Sequence, residues 1–210
     1  MFNFHTHTNQ PNAIVNVDSI SNIELTSQHY YSFGNHPWHI QFTATEIEHF
    51  ILNNPQVIAI GECGLDKLKS NKTIDEQIAH LKLQIELSER LQLPLILHIV
   101  NGYNEIIKLK KEHKPKQKWI IHGFNKYKQA KALSENNFYL SFGEALLHNL
   151  KLQDCFISYP IDKILLETDD SNFHIEKMYN FAANLKNETV NDLSLQIKNN
   201  ITIITNGKLA

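Results

Sequence analysis

The sequence predicts an α/β fold of the TIM type, a (β/α) barrel. Three observations predict it. Short apolar runs alternate with longer segments of helical period from one end to the other, the pattern of repeated βα units and a parallel sheet. The runs are continuous rather than alternating, as in Val57-Ile58-Ala59-Ile60, which is how a strand buried on both faces reads. Polar residues able to bind metal follow five of these runs directly, which suits the C-terminal rim of a barrel; an open doubly wound sheet gathers its site at one switch point instead. The 210 residues suffice for one hydrophobic core. The expectation is therefore a single barrel domain over residues 1–210, with room for shortened or missing elements at its C-terminal end.

Taken in order, Phe2 to His7 is the first strand and Ile14-Val15-Asn16-Val17 the second. Tyr30 to Gly34 is a third, ending in Gly34-Asn35-His36-Pro37. Thr43 caps a helix over Ala44 to Leu52, with Ile47, Phe50 and Ile51 at helical spacing. Val57 to Ile60 is a strand that ends in Gly61-Glu62-Cys63-Gly64-Leu65-Asp66. Thr73 and Glu76 form a capping box before an apolar stripe of Ile78, Leu81 and Ile85 that runs to Leu91, the longest predicted helix. Pro94 stops it, and Leu95 to His98 is the next strand. A helix over Tyr103 to His113, a strand over Trp119 to His122, a helix over Gln129 to Glu135 and a strand over Phe138 to Phe142 follow. Ile164 to Asp169 is the last strand, and helices over Ile175 to Leu185 and Thr189 to about Asn199 close the series.

Composition excludes several classes. An apolar fraction of 42% and a charged fraction of 20% are ordinary for a compact soluble domain. No run of about 18 apolar residues and no basic segment leading into an apolar one is present, so neither a membrane span nor a signal peptide is read, and the expected location is the cytoplasm. Cys63 and Cys155 are expected as free thiols. A net charge of −2 gives no global attraction to nucleic acid, and the basic run from Lys108 to Lys118 reads as a solvated helix end and loop. Twelve histidines are the outlying count, and histidine is the commonest metal ligand.

The histidines fall in a pattern. In an extended strand, residues two apart share a face, so His5 and His7 can aim both imidazoles at one point. Glu62, His98, His122 and Asp169 each stand at the C-terminal end of a further strand, and a barrel would turn all six toward one rim. Glu62 lies between an apolar strand and glycine-rich chain, where an unpaired buried carboxylate would cost several kcal/mol, so a metal ligand is the economical role. Two histidines and a carboxylate can hold one divalent ion, and two more histidines with a shared carboxylate a second. A pair of ions roughly 3.5–4 Å apart can activate water and clamp a phosphoryl oxygen. Asp169 could also accept the proton of that water. Mixed imidazole and carboxylate donors leave zinc, manganese and magnesium open.

These residues carry a resemblance. The ordered series His5-Thr6-His7, Gly34-Asn35-His36-Pro37, Gly61-Glu62-Cys63-Gly64-Leu65-Asp66, His98 after Leu93-Pro94-Leu95-Ile96-Leu97, His122-Gly123-Phe124 and Glu167-Thr168-Asp169 resembles the TatD family of metal-dependent deoxyribonucleases, within the amidohydrolase-like TIM barrels. The resemblance runs from residue 2 to about residue 170. It implies hydrolysis of phosphodiester bonds in DNA at a binuclear site, with His5, His7 and Asp169 on one ion, His98 and His122 on the other, and Glu62 bridging. The expected hydrolase acts without an obligate protein partner, as a monomer or weak oligomer. The chain departs from the family pattern where Asn3 stands for an aspartate, Val100 for an arginine, His122-Gly123-Phe124-Asn125-Lys126 for His-Cys-Phe-Ser-Gly, and Asp170-Ser171 for a small residue and proline. These changes leave two rivals open: hydrolysis of a phosphomonoester, lactone or amide by the same residues, or a metal-binding paralogue without turnover.

The remaining candidates are less determined by sequence. His36 either faces substrate or fixes its turn, and Asp66 either orients a ligand or caps the following segment. Glu167 either backs a ligand or pairs with a lysine. Trp38 and Phe124 are read as packing residues that could also flank the site. His29, His39, His49, His80, His113, His148 and His174 are expected on the surface or in packing roles.

Overall fold

The computed structural model describes residues 1–19 and 25–209. Eight parallel strands follow one another around a nearly closed barrel: β1 (Asn3–Thr6), β2 (Ala13–Val17), β3 (Tyr30–Phe33), β4 (Val57–Asp66), β5 (Leu95–Val100), β6 (Trp119–Ile121), β7 (Tyr139–Phe142) and β8 (Ile164–Leu166). The helices are α1 (Ala44–Asn53), α2 (Ile74–Leu91), α3 (Tyr103–His113), α4 (Ala130–Glu135), α5 (Ala145–His148), α6 (Leu150–Ser158), α7 (Ile175–Lys186) and α8 (Val190–Ile204). All eight strands of a TIM-type barrel are thus present, and α7 and α8 still follow the last. No helix separates β1 from β2, and none is present among the described residues between β2 and β3.

The strands are buried along nearly their whole length. All ten residues of β4 are buried, as are all of β1, β6, β7 and β8. Each Val, Leu or Ile so removed from water contributes roughly 1.5–3 kcal/mol. Both capping boxes expected from sequence form: Thr43 and Thr73 accept from the backbone N–H of Glu46 and Glu76, and each glutamate accepts from the cap residue in return.

The barrel closes through side chains as much as through backbone. At the seam between β8 and β1, Asn3 Nδ2 donates to Thr168 Oγ1 at 2.7 Å, and Thr168 N donates to Asn3 Oδ1 at 3.0 Å. One residue further, Asp169 N donates to the His5 carbonyl at 3.1 Å and Thr6 Oγ1 to the Asp169 carbonyl at 3.2 Å. The first and last strands are thereby stitched together beside His5 and Asp169.

β8 ends at Leu166 rather than at Asp169, and the elements differ most from expectation in three further places. β4 does not stop at Ile60 but continues to Asp66 against β5. Gly64 explains why: a Cβ there would come within 2.0 Å of the His98 carbonyl, so only glycine lets the two strands approach this closely. Second, α5 and α6 fill a stretch for which no element was expected; Asn149 caps α6 through its side-chain oxygen at 3.2 Å from Leu152 N. Third, α8 runs five residues beyond Asn199, carried by buried Asn200, Ile201 and Ile204. Among the described residues no helix is long and apolar enough to cross a membrane. Cys63 and Cys155 are free thiols.

Candidate metal centre

At the C-terminal rim, one carboxylate stands between two sets of imidazoles. Glu62 Oε2 lies 3.6 Å from His5 Nε2 and 3.2 Å from His7 Nε2. Its other oxygen, Oε1, lies 3.4 Å from His98 Nδ1 and in direct contact with His122 Nε2. Asp169 Oδ1 completes the first side at 3.7 Å from His5 Nε2 and 3.5 Å from His7 Nε2. All six residues singled out in the sequence therefore meet at one place. His36 joins them, with Nε2 3.8 Å from Glu62 Oε1, and forms a compact triad with Glu62 and His98.

Local chain geometry explains the convergence. His5 sits within β1, whereas His7 lies one residue beyond its end, yet both present Nε2 to the same carboxylate oxygen. His98 is inside β5, and His122 follows the end of β6. Asp169 lies three residues past β8 with φ +51, a left-handed conformation that aspartate tolerates better than most residues and that tends to mark functional sites. Glu62 is fixed at its backbone, where its N–H donates to Asn16 Oδ1 at 2.7 Å.

Two further carboxylates back the second set of histidines. Asp66 Oδ2 lies 3.3 Å from His98 Nε2 and accepts from Trp38 Nε1 at 2.6 Å, while Asp66 Oδ1 accepts from the N–H groups of Leu68 and Lys69. Asp66 therefore both orients a candidate ligand and caps the next segment, the two roles the sequence left open. Glu167, fully buried, accepts from Gly123 N at 2.5 Å and lies 3.8 Å from His122 Nδ1; it backs that imidazole rather than pairing with a lysine. Carboxylates behind histidines fix ring orientation and raise basicity toward a metal.

The electrostatics follow from this crowding. Burial alone would raise the Glu62 carboxyl, but the His122 and His5 imidazoles outweigh it and hold it well below the usual carboxylate range. Burial opposes charge on His122, yet Glu62 and Glu167 raise it well above an ordinary histidine. The bond to Glu62 raises His7 against its own burial. His36 behaves in the opposite way: burial dominates, and it is lowered to about 4. Burial, with the charges of Glu167 and Glu62, raises Asp169 and makes it a better proton acceptor than an exposed aspartate.

The donor set fits divalent metal. His5 is fully buried, and neither of its ring nitrogens has a hydrogen-bond partner among the described residues. A polar atom orphaned in this way costs about 1–3 kcal/mol, a penalty that a metal–nitrogen bond removes. Among the described residues, the groups whose ligand atoms lie within 4.8 Å of one another are His5/His7/Glu62, His5/His122/Asp169, His36/Glu62/His98 and His7/Asp169/Asp170. Only oxygen and imidazole donors take part, since Cys63 is buried and its thiol is pushed far up.

Sequence reasoning missed the residues that hold the rim in place. Asn35 is buried, accepts from the N–H groups of Gln41 and Phe42 and donates to the Phe42 carbonyl, which shapes the loop carrying His36 and Trp38. Gln84 grips Asn35 from below through both backbone groups, at 2.8 and 3.2 Å, and Gln77 grips the backbone of Asp66 at 2.8 and 3.2 Å. The two glutamines lie seven residues apart, two turns along one face of α2, so a single helix docks two site loops. The available signal was polar residues on the apolar stripe of α2. Trp38 lines the cleft above the site, edge-on to His36 and His98, whereas Phe124 is 1% exposed and packs against Phe142. His39 lines the cleft mouth, while His29 bonds Asn9 at the surface.

With this geometry in view, comparisons with known proteins are informative. A family model described as "TatD related DNase" matches residues 3–204. An uncharacterised metal-dependent hydrolase from Buchnera aphidicola is 35% identical over 144 residues, covering 66% of this chain and 54% of that protein. A 3'-5' ssDNA/RNA exonuclease TatD from Rahnella sp. is 31% identical over 176 residues, covering 74% and 62%. The chain spans about half the length of the curated relatives it matches. Among solved structures, YJJV, a TatD homologue from Escherichia coli K12, superimposes with a TM-score of 0.80 at 22% identity, over 92% of this chain and 86% of that one.

Proposed function

The chain belongs to the TatD-related DNase family, and on that premise we propose that it is a metal-dependent hydrolase that cleaves phosphodiester bonds in single-stranded nucleic acid, acting as a monomer or weak oligomer. One observation carries the reading: Glu62 divides its two oxygens between His5 and His7 on one side and His98 and His122 on the other, as a shared ligand does. His5, His7 and Asp169 would hold one divalent ion, His98 and His122 a second and Glu62 both, and there the ions supply Lewis acidity that lowers the pKa of water and takes up charge on a phosphoryl oxygen.

The chain's own residues do the rest. Asp169, raised by burial and by its carboxylate neighbours, receives the proton of the attacking water at a carboxylate oxygen. Asp66 and Glu167 keep the imidazoles of His98 and His122 from rotating. Trp38 roofs the cleft, whose volume of about 350 Å³ suits one nucleotide-sized group better than a duplex. The strand polarity and substrate named for the Rahnella relative support a single strand as substrate.

A second reading, hydrolysis of an uncharged lactone or amide, is favoured by Asp18 and Asp170, which line the same cleft and repel anionic phosphate esters. A panel of bis(p-nitrophenyl) phosphate, a p-nitrophenyl monoester, a lactone and a single-stranded oligonucleotide, run with added zinc, manganese or magnesium, separates the two. The expected result is diester and oligonucleotide cleavage that Glu62→Ala abolishes, with metal content by elemental mass spectrometry falling alongside. Turnover retained in Glu62→Ala, or a wild type that prefers the lactone, overturns the proposal.

A further inference from the structure

We infer that the loop after β6 forms a separate subsite for the backbone of a single-stranded nucleic acid, with Lys126 and Lys128 binding its phosphates and Tyr127 as a stacking surface. The inference rests on the phosphodiesterase reading and adds to it where the strand runs once it leaves the metal centre.

A cavity of about 360 Å³ opens beside the metal cleft, lined by Asn101, Asn125, Lys126, Tyr127, Lys128 and Asn149 among others. Its position is set by the barrel. Asn101 lies three residues past His98, and Asn125 three past His122, so the cavity sits on the same rim as the candidate ligands, roughly 10 Å along the chain from each at about 3.3 Å per residue. A single strand at about 3.4 Å per stacked nucleotide crosses that interval in about three nucleotides.

The lining has the chemistry such a strand needs. Lys126 and Lys128 are exposed, and among the described residues neither has a carboxylate within ion-pairing distance. Tyr127 between them is half-buried, with Lys151 Nζ 5.7 Å over one face of its ring. Cations with an aromatic face between them are how proteins track single strands without reading sequence. The amide side chains of Asn101 and Asn125 add neutral donors and acceptors for sugar and base edges. The loop is also stiff, since Gln129 N donates to the Lys126 carbonyl at 2.8 Å and Phe124 N to the Ser141 carbonyl at 3.0 Å.

The obvious basic run of the sequence cannot serve this purpose. Lys114 to Lys118 connect α3 to β6, and in a barrel such αβ connections lie at the opposite end from the site. Lys108 pairs with Glu112 at 3.8 Å, and Lys110 lies 4.0 Å over the ring of Phe138. At the site's end of the barrel, Lys67 pairs with Glu105 at 2.6 Å and Lys69 lies 4.7 Å over the Trp38 ring, whereas Lys126 and Lys128 are the lysines that line this cavity.

The test is binding and cleavage of a fluorescein-labelled thymidylate decamer by the metal-loaded full chain, in wild type and in Lys126→Glu/Lys128→Glu, with thermal melting to establish that the variant is folded. The expected result is at least a tenfold weaker anisotropy Kd, and a fall of about 1.4 in the slope of log Kd against log salt, about 0.7 for each single-strand phosphate that the variant no longer neutralises. The ratio of kcat/KM for the decamer to that for bis(p-nitrophenyl) phosphate should drop at least fivefold, and Tyr127→Ala should weaken binding with the salt slope intact. Unchanged Kd and slope in the folded double variant overturn the subsite and leave the phosphodiesterase reading standing. Failure of the wild type to hydrolyse either substrate removes that reading itself, and the subsite with it.

Discussion

The seam at Asn3 gives the sharpest test of how fold and site depend on each other. Asn3 is 1% exposed, and its amide makes two hydrogen bonds to Thr168, itself 3% exposed, one residue from Asp169. Asn3→Ala removes both bonds and leaves the Thr168 N–H without its acceptor. Two hydrogen bonds at about 1 kcal/mol each, with about 1–3 kcal/mol for a buried donor left unpaired, give a loss of roughly 3–5 kcal/mol. At about 2–4 °C per kcal/mol for a chain of this size, Tm should fall by roughly 6–20 °C. Activity should fall as well, because this seam holds Asp169 to β1, and a displacement of about 1 Å in a reacting group can cost on the order of 10²-fold. Asn3→Asp separates the effects. It keeps the acceptor for Thr168 N, and the Thr168 hydroxyl can turn to donate to the new carboxylate, so Tm should stay within about 3 °C of wild type. The assay is calorimetric melting together with kcat/KM on bis(p-nitrophenyl) phosphate. A Tm in Asn3→Ala within about 2 °C of wild type would refute the reasoning, as would equal losses in the alanine and aspartate variants.

Two other perturbations follow from the same geometry. Asp66→Ala removes the carboxylate behind His98, and metal affinity measured by chelator competition should fall about 10- to 100-fold; unchanged affinity would show that Asp66 only caps its loop. Lys110 tests a half-buried charge away from the site: its partial burial, with Lys163 and Lys118 nearby, lowers it from its usual 10.5 to about 7. The unfolded chain keeps that proton between about pH 7 and 10.5 while the native state gives it up, so this group makes stability rise with pH across that window. Lys110→Met should flatten the rise in urea midpoints between about pH 7 and 9.5, and parallel curves for the two proteins would discard the assignment.

The strands were legible because a parallel sheet buried on both faces writes itself as uninterrupted apolar runs; even the short second strand, Ala13–Val17, was visible as Ile14 to Val17. The six candidate ligands were legible for a related reason, since histidine and carboxylate at the ends of such runs have few other uses. What escaped reading depends on contacts between distant segments. The extension of β4 through Gly61 to Asp66 is decided by how closely β5 approaches, which local propensity does not encode. Asn16, Asn35, Gln77 and Gln84 look like surface residues until their partners, 11 to 49 residues away, are known. His36 remained ambiguous because a histidine before proline fits a turn equally well; its distance to Glu62 makes it a candidate ligand. The helix at 150–158 lacked an apolar stripe long enough to stand out, and its Asn149 cap was the signal available.

The stitched seam also has a bearing on when the centre can come into being. His5 and His7 belong to the start of the chain and Asp169 to the strand end that closes the barrel, 164 residues later than His5. No fragment that lacks either end can assemble the first triad, however well its remaining strands pair. A nascent chain still short of β8 therefore carries the histidines without the carboxylate of Asp169 that completes their triad. The first triad is thus a property of the joined ring and not of any one strand.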